Sequence, residues 1–207
     1  GAKGRRNRPV LVPGNVVAVQ LSARTDNQLP QAVVELVHSR APLLAEPLPA
    51  AAIEWVTVLA ATVLPESQPY PAIHSGLEGL LDAIEAAPAA SGWGAALVQF
   101  ELLLLAEMGF GLDLAACAVT GRNDELVAVS PRSGRAISAA EAEPYAGRLL
   151  PLPRFVMEGG EASWADIADG LKLSGHFLDR DVLIGRTRTI ADSRSRLVDR
   201  LRRAAGE

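Results

Sequence analysis

The stretch that decides the fold is WGAALVQFELLLLAEM, residues 93–108. Leu97, Phe100 and Leu104 recur at helical spacing, and apolar side chains continue around most of the helix. A helix that is apolar on nearly all sides belongs in the centre of a core. Gly109 then provides a C-terminal stop. The sequence therefore predicts a domain built around one buried central helix.

Apolar stripes on both sides of this helix predict further helices. One stripe runs from Ile53 to Val63 and another from Ile73 to Ile84, each at helical spacing. Prolines at 42, 47 and 49 mark a linker before the first of them. Weaker helices are predicted near residues 138–145, 163–173, 175–184 and 193–205, and a short strand at 126–129.

Residues 9–40 have a different texture and predict β structure. Two β-rich runs, residues 16–21 and 33–38, are separated by a polar break, which is typical of a hairpin. Because two strands do not form a stable sheet alone, we expect this hairpin to pack on further strands, on another chain or on the helices.

The composition excludes several classes of protein. The chain has 207 residues, 49% of them apolar, and a single cysteine. This excludes a disordered chain, a disulfide framework and a thiolate-rich zinc finger within one chain. The most apolar run, residues 97–108, is shorter than a membrane span and contains Gln99, Glu101 and Glu107. We therefore expect no membrane association.

The net charge of −4 hides an uneven arrangement. Residues 1–8 carry four basic side chains and no acid, and residues 180–207 carry eight arginines against four acids. The part between them holds 8 basic and 20 acidic residues. An acidic body between two basic ends indicates contact with a polyanion at the ends, although a solvated, flexible arm explains the first eight residues equally well.

Signatures of catalysis are weak. The glycine pairs at 92–94 and 109–111 lack the third glycine of a dinucleotide loop. His38, His74 and His176 are scattered, and Cys117 among alanines is typical of a small buried side chain, with no partner base in its surroundings. The sequence therefore disfavours a metal-dependent hydrolase or a thiol enzyme.

Three stretches carry a family resemblance when they are read together. The first is FELLLLAEMGFGLDLAACAVTG, residues 100–121, in which a long helix, a G-F-G turn and an L-D-L-x-x-C segment follow in order. The second is VSPRSGRA, residues 129–136, and the third is Ser195-Arg196-Leu197. Together they resemble the RecO family of bacterial DNA repair proteins, over essentially the whole chain.

The resemblance implies an α+β fold in two domains. Residues 1–41 would be the remainder of an N-terminal OB-type β-barrel, and residues 42–207 a mainly helical C-terminal domain. The earlier strands of the five-stranded barrel would precede residue 1. Residues 109–141 would form a small irregular insert that resembles a degenerate zinc finger.

The insert departs from the family pattern. Many family members hold zinc there with two C-x-x-C pairs, whereas this chain keeps only Cys117. Thr120 stands at the second position of the first pair, and Ser138 and Glu141 align with the second pair. Because zinc prefers four nitrogen or sulfur ligands, we expect no metal and no other cofactor.

The implied function is that of a recombination mediator, not an enzyme. Family members bind single- and double-stranded DNA and anneal strands, join RecR, and engage the acidic C-terminal tail of single-stranded DNA-binding protein. The outcome is loading of RecA onto coated single strands in the bacterial cytoplasm, in association with the nucleoid. Residues 9–40 hold no aromatic side chain, so DNA contact there should rest on charge and depend strongly on salt.

Candidate contact residues follow from the basic segments. For nucleic acid, the candidates are Lys3, Arg5, Arg6, Arg8 and Arg122, with Arg132 and Arg135 in second place. For an acidic tail, a basic rim beside an apolar groove is required, and Arg132, Arg135 and Arg196 are the candidates. The alternative is a helical interaction scaffold that does not bind DNA, which the acidic body favours.

Overall fold

The computed structural model describes residues 7–23, 31–87, 89–185 and 188–206, without the side chains of 188 and 189. Its described part is α+β, with seven α-helices and two small sheets. In chain order the elements are β1 (Val16–Ser22), β2 (Gln31–His38), α1 (Pro47–Val63), α2 (Pro71–Ala86), α3 (Gly94–Glu107), β3 (Leu126–Val129), β4 (Ala136–Ser138), α4 (Ala139–Ala142), β5 (Leu150–Pro151), α5 (Arg154–Glu158), α6 (Trp164–Phe177) and α7 (Arg188–Ala205).

The prediction of a central buried helix is confirmed. Leu97, Leu104 and Leu105 of α3 are completely buried, and α3 packs between α2 and α6. Helix α7 folds back along α1 and closes the other side of this helical body. Local sequence sets the helix starts: Pro47 and Pro71 stand at first helical positions, where no amide hydrogen is needed.

Helix α6 begins with a complete capping box. The Ser163 hydroxyl accepts from the backbone N–H of Asp166 at 3.2 Å, and the Asp166 carboxylate accepts from the backbone N–H of Ser163 at 3.0 Å. The Ser163 hydroxyl also donates to the Asp166 carboxylate at 2.6 Å, and this hydrogen bond, followed by that from the Ser163 backbone N–H, lowers the pKa of Asp166. The start of α6 is thus fixed locally, which orients the face that it shows to α7.

The hairpin is confirmed as an antiparallel pair, with Val19 opposite Val34 and a register shift at Val16/Val17. No residue of either strand is buried, and Val19 and Leu21 are 52% and 67% exposed. The expected barrel is not closed within the described residues, where these two strands form a sheet of their own. Because each apolar face of a sheet needs a cover, the hairpin alone is not a complete domain.

A polar joint holds the hairpin on the helical body. The buried guanidinium of Arg40 donates to Asp82, to Glu85 at 3.2 Å and to the Gly14 carbonyl at 3.0 Å. His38, the last residue of β2, also lies 2.9 Å from a Glu85 carboxylate oxygen. The predicted domain boundary at residues 41 and 42 follows this joint directly, and it stays a prediction.

The insert, residues 109–141, contributes β3 and β4 to a three-stranded antiparallel sheet in the order β4-β3-β5, and β5 follows the insert in the chain. The predicted strand at 126–129 is confirmed as β3. The predicted helix near 138–145 is a single four-residue turn, α4, followed by a 3-10 turn at Glu143–Tyr145 that contains Pro144. Helix α6 passes into a π-helical turn, Leu178–Val182, so the separate helix predicted at 175–184 is wrong as drawn.

Candidate nucleic-acid and partner interface

The N-terminal basic candidates fall only in part within the described residues. Lys3, Arg5 and Arg6 lie outside them. Arg8 is exposed, in a turn closed by the Leu11 N–H donating to the Asn7 carbonyl at 2.9 Å. Within the described part of the chain, no acidic side chain pairs with Arg8. Its charge is therefore available at the surface beside the hairpin.

Arg122 is already paired. Its guanidinium donates in a fork to Asp124, at 2.9 Å and 2.7 Å. The hydrogen bonds of this fork raise the pKa of Arg122 and lower that of Asp124. Both side chains are more than half exposed. A phosphate would therefore have to displace Asp124 in order to take the same fork.

Two of the three candidates for a partner tail are paired as well. Arg135 donates to Asp113 at 3.2 Å, and Arg196 of α7 lies 3.7 Å from Glu54 of α1. Arg132, in the loop between β3 and β4, is exposed and has no acidic partner among the described residues. The structure thus places Arg132 and Arg135 on one loop and Arg196 on another element.

Side chains of the α6 region hold the backbone of the loop that carries Arg132. The Arg180 guanidinium donates to the Arg132 carbonyl at 3.1 Å and also to the Pro131 carbonyl. His176 of α6 contacts the Pro131 carbonyl through Nε2 at 3.0 Å. The Arg180 guanidinium stacks on the Phe177 ring at 4.7 Å. These contacts fix the loop backbone and leave the Arg132 side chain at the surface.

A groove between α6 and α7 has the character expected of a tail-binding site, and the sequence did not reveal it. Its cavity measures about 210 Å³. The apolar lining includes Ile167, Leu171 and Leu201, and the cationic lining Lys172 and Arg202. Neither Lys172 nor Arg202 has an acidic partner in the described chain. We call this cavity the α6–α7 groove.

The sequence does not reveal the groove because its lining residues Lys172 and Arg202 lie about thirty positions apart. Arg202 lies near a helix C-terminus, where cations are favoured in any case, and Lys172 belongs to no pattern in the sequence. His176 and Asp179 also line the groove, and Asp179 is its one acidic lining residue among those described. His176 connects the groove to the Arg132 loop through its contact with Pro131.

One lining residue of the groove, Arg194, belongs to a buried ion pair. The carboxylate of Glu101, which is completely buried, accepts from Arg194 at 2.9 Å and 2.8 Å and from the Trp55 indole at 2.8 Å. Ser174 donates to it at 2.5 Å. Burial disfavours the charge of Arg194, but Glu101 outweighs this and raises the pKa of Arg194. The charge of Arg194 is therefore used internally, in joining α7 to α1, α3 and α6.

Cys117 stands at a position that the resemblance assigns to a zinc-binding pair. Its sulfur is completely buried and accepts from the Ser138 backbone N–H at 3.3 Å and from the Ser138 hydroxyl at 3.4 Å. The hydrogen bond from the Ser138 side chain, followed by that from the Thr120 backbone, lowers the pKa of Cys117 to about 6. Two of the aligned positions, Cys117 and Ser138, therefore meet in space.

These residues do not suit zinc. A hydroxyl and one thiol replace the thiolate pairs, and the described residues contain no group of three or more His, Cys, Asp and Glu side chains that could hold a metal ion. The insert is held instead by hydrogen bonds, such as that from the Ala118 N–H to the Ala136 carbonyl at 2.8 Å.

No helix in the described part of the chain is long and apolar enough to cross a membrane.

Comparison with known proteins defines the class. The family model "Recombination protein O C terminal" matches residues 48–189. A DNA repair protein RecO from Rhodospirillum centenum is 42% identical over 207 residues, which cover 99% of this chain and 81% of that protein. DNA repair protein RecO from Cereibacter sphaeroides is 38% identical, over 98% of this chain and 84% of that protein. DNA repair protein RecO from Rhodospirillum rubrum is 42% identical, over 98% of this chain and 82% of that protein.

These matches, and not the α+β fold alone, place the chain in a class of DNA repair proteins. The chain belongs to the RecO family.

Proposed function

We propose that this chain acts as a recombination mediator in DNA repair, binding and annealing DNA without catalysing bond chemistry. The observation that carries the proposal is the match to DNA repair proteins named RecO over 96–99% of the chain. The proposal includes RecR as a partner, assistance in loading RecA onto coated single strands, and a place in the bacterial cytoplasm with the nucleoid.

Charge supports the DNA-binding part of this proposal. Arg8 and Arg132 are exposed and free of acidic partners within the described residues. The segment that holds Lys3, Arg5 and Arg6 adjoins Arg8 in sequence. Neutralising the phosphates of two strands at such cations lowers the repulsion between them, which is the physical requirement for annealing.

The α6–α7 groove supports the partner part. We propose that it takes the acidic C-terminal tail of single-stranded DNA-binding protein. Ile167, Leu171 and Leu201 would receive apolar side chains, and Lys172 and Arg202 would pair with carboxylates. Arg132, reached from the groove through His176 and Pro131, extends the cationic rim.

A helical interaction scaffold that does not bind DNA is the second candidate. It is favoured by one specific observation: Arg122, Arg135 and Arg196 are already paired with acids of the same chain. The two candidates differ in whether the chain binds a single strand at all.

The test is fluorescence anisotropy of a labelled single strand, titrated at several salt concentrations. We expect replacement of Arg5, Arg6 and Arg8 by Ala to weaken binding and to flatten the salt slope by about 2, because each phosphate contact on a single strand contributes about 0.7. A triple replacement of Arg154, Arg200 and Arg203 removes the same charge and serves as the control. An unchanged salt slope in the first variant would exclude Arg5, Arg6 and Arg8 as phosphate contacts. If the parent chain binds no single strand, the scaffold candidate is favoured.

The groove is tested with the acidic C-terminal peptide of single-stranded DNA-binding protein. Charge reversal by Lys172→Glu and Arg202→Glu should abolish measurable binding, whereas Arg154→Glu, at an exposed site on α5, should leave it unchanged. If the parent, the Lys172→Glu and Arg202→Glu protein and the Arg154→Glu control all bind the peptide equally, the groove is excluded as the site.

A further inference from the structure

The aromatic side chains of this protein are nearly all inside. Of nine, Trp55, Trp93, Phe100, Phe155 and Phe177 are buried, and Tyr70 and Trp164 are partly buried against the core. Phe110 and Tyr145 remain, 43% and 47% exposed. All nine lie within the described residues. Phe110 and Tyr145 are therefore the Phe, Tyr and Trp rings with the most exposed surface for stacking of a nucleobase.

Tyr145 is presented by a well-defined turn. The Arg148 N–H donates to the Tyr145 carbonyl at 2.9 Å, and Gly147 has φ +75°. With Ala146 at φ −48° and ψ 132°, this is a type II turn, in which the first and fourth Cα atoms lie within about 7 Å of each other. The turn therefore brings close together two residues with exposed side chains, one an aromatic ring and the other a guanidinium.

Sheet topology brings a further cation, Arg132, to the same end of the β4-β3-β5 sheet. Val129, at the end of β3, pairs with Leu150 at the start of β5 and with Ala136 at the start of β4. The Tyr145–Arg148 turn and the loop that carries Arg132 therefore leave the sheet at the same end. Arg132 and Arg148 are both exposed, and neither has an acidic partner among the described residues.

Acids close to this end are largely occupied. Asp113 pairs with Arg135, and Asp181 accepts a fork from Arg180 at 2.7 Å. Glu143, two residues before Tyr145, is exposed and is not paired within the described chain. We expect it to weaken, not to prevent, the approach of a phosphate.

We infer that Tyr145 and Arg148 form a binding site for one nucleotide of a single strand, with the base stacked on the Tyr145 ring and a neighbouring phosphate paired with Arg148. A ring with a π face stacks on any base, so the site would not select sequence. This inference rests on the proposed function, since it adds a base contact beside the β4-β3-β5 sheet to the charge contacts near the hairpin.

The experiment separates stacking from charge in the full chain, by anisotropy with a labelled single strand. Tyr145→Ala should weaken binding about tenfold and leave the salt slope unchanged, because stacking releases no counterions. Tyr145→Phe should bind within about twofold of the parent. Arg148→Ala should instead flatten the salt slope by about 0.7.

Three controls make the result specific. Phe110→Ala removes the other exposed ring and should leave binding unchanged. Tyr145→Leu keeps an apolar side chain without a π face and should behave as Tyr145→Ala does, which separates stacking from packing. Glu143→Gln should tighten binding slightly, because it removes the nearby negative charge.

A strand without bases gives the decisive comparison. The parent chain and Tyr145→Ala should bind an abasic strand equally, since neither can stack on it. If Tyr145→Ala binds the normal strand as well as the parent does, or loses as much on the abasic strand, the inference is overturned while the proposed function stands. If the parent binds no single strand, the proposed function itself fails.

Discussion

The helical body buries its apolar side chains, whereas the hairpin leaves most of its apolar side chains exposed. In the body, Trp55, Leu97 and Leu104 are completely enclosed by other helices of the same chain. In the hairpin, Val19 and Leu21 are more than half exposed although the backbone pairing is regular. The difference shows that regular hydrogen bonding does not by itself complete a fold. The body is stable through its own packing, whereas the hairpin depends on the joint at Arg40.

The largest effect is expected at the ion pair that holds the body together. Arg194→Met leaves the buried Glu101 carboxylate without its cation, which should cost about 3–5 kcal/mol of unfolding free energy. Chemical denaturation measures this. Arg154→Met, at an exposed pair, is the matched control and should change stability by less than about 0.5 kcal/mol. A loss under about 1 kcal/mol in Arg194→Met would mean that the pair does not join the helices as described.

A methyl group can test how tightly the body is packed. A Cβ at Gly170 of α6 would meet Phe155 at 2.8 Å and Val98 at 3.0 Å. Gly170→Ala should therefore destabilise the protein by about 1–3 kcal/mol. Gly79→Ala in α2, where a Cβ meets nothing within 4 Å, should stabilise it by about 0.5–1 kcal/mol. Thermal unfolding with the same sign of change in both variants would contradict this account of the packing.

The joint offers a way to sharpen the contrast between the two regions. Arg40→Met removes the hydrogen bonds to Asp82 and Glu85. The free energy of opening the hairpin should fall by about 1–2 kcal/mol. The loss is modest because both carboxylates reach water once they are released. Amide hydrogen exchange should accelerate in β1 and β2 and stay unchanged in α3. His38→Gln serves as a milder control. Uniform acceleration through both regions would show that they unfold as one unit.

The smallest effect on stability at neutral pH is expected at Cys117, and it should vary with pH. Its pKa is lowered to about 6 in the folded chain from an ordinary value near 9, so the folded state favours the thiolate. The resulting stabilisation is complete above the ordinary value and is lost as the pH falls through 6. The difference in unfolding free energy between the parent and Cys117→Ala should therefore grow from pH 6 to pH 9 and be flat below pH 6. Ser138→Ala should reduce this growth, and a difference that does not vary with pH would exclude a thiolate in the folded protein.

The sequence predicted the elements whose signal is periodic and local. The apolar positions of α3 repeat often enough to identify a central helix, and the β-rich runs of the hairpin were located within two residues. Helix α5 was missed because its five residues bury only Phe155 and show no period. The π-helical turn after α6 was missed because helical spacing continues through it.

The candidate site was less predictable, for a physical reason. Basic side chains can be counted from a sequence, but their partners are set by the fold. Asp113 lies 22 residues from Arg135, and Glu54 lies 142 residues from Arg196. The free cations of the α6–α7 groove, Lys172 and Arg202, came together only through the packing of two helices. Composition therefore indicated a polyanion-binding protein but not which arginines are free.

The buried ion pair beside the groove also bears on the order in which the chain is made. Glu101 and its partner Arg194 are 93 residues apart. During synthesis, α3 leaves the ribosome long before α7 exists. The carboxylate must then stay hydrated, and the body cannot close around it. Closure of the helical body around Glu101 therefore waits until α7 has been made.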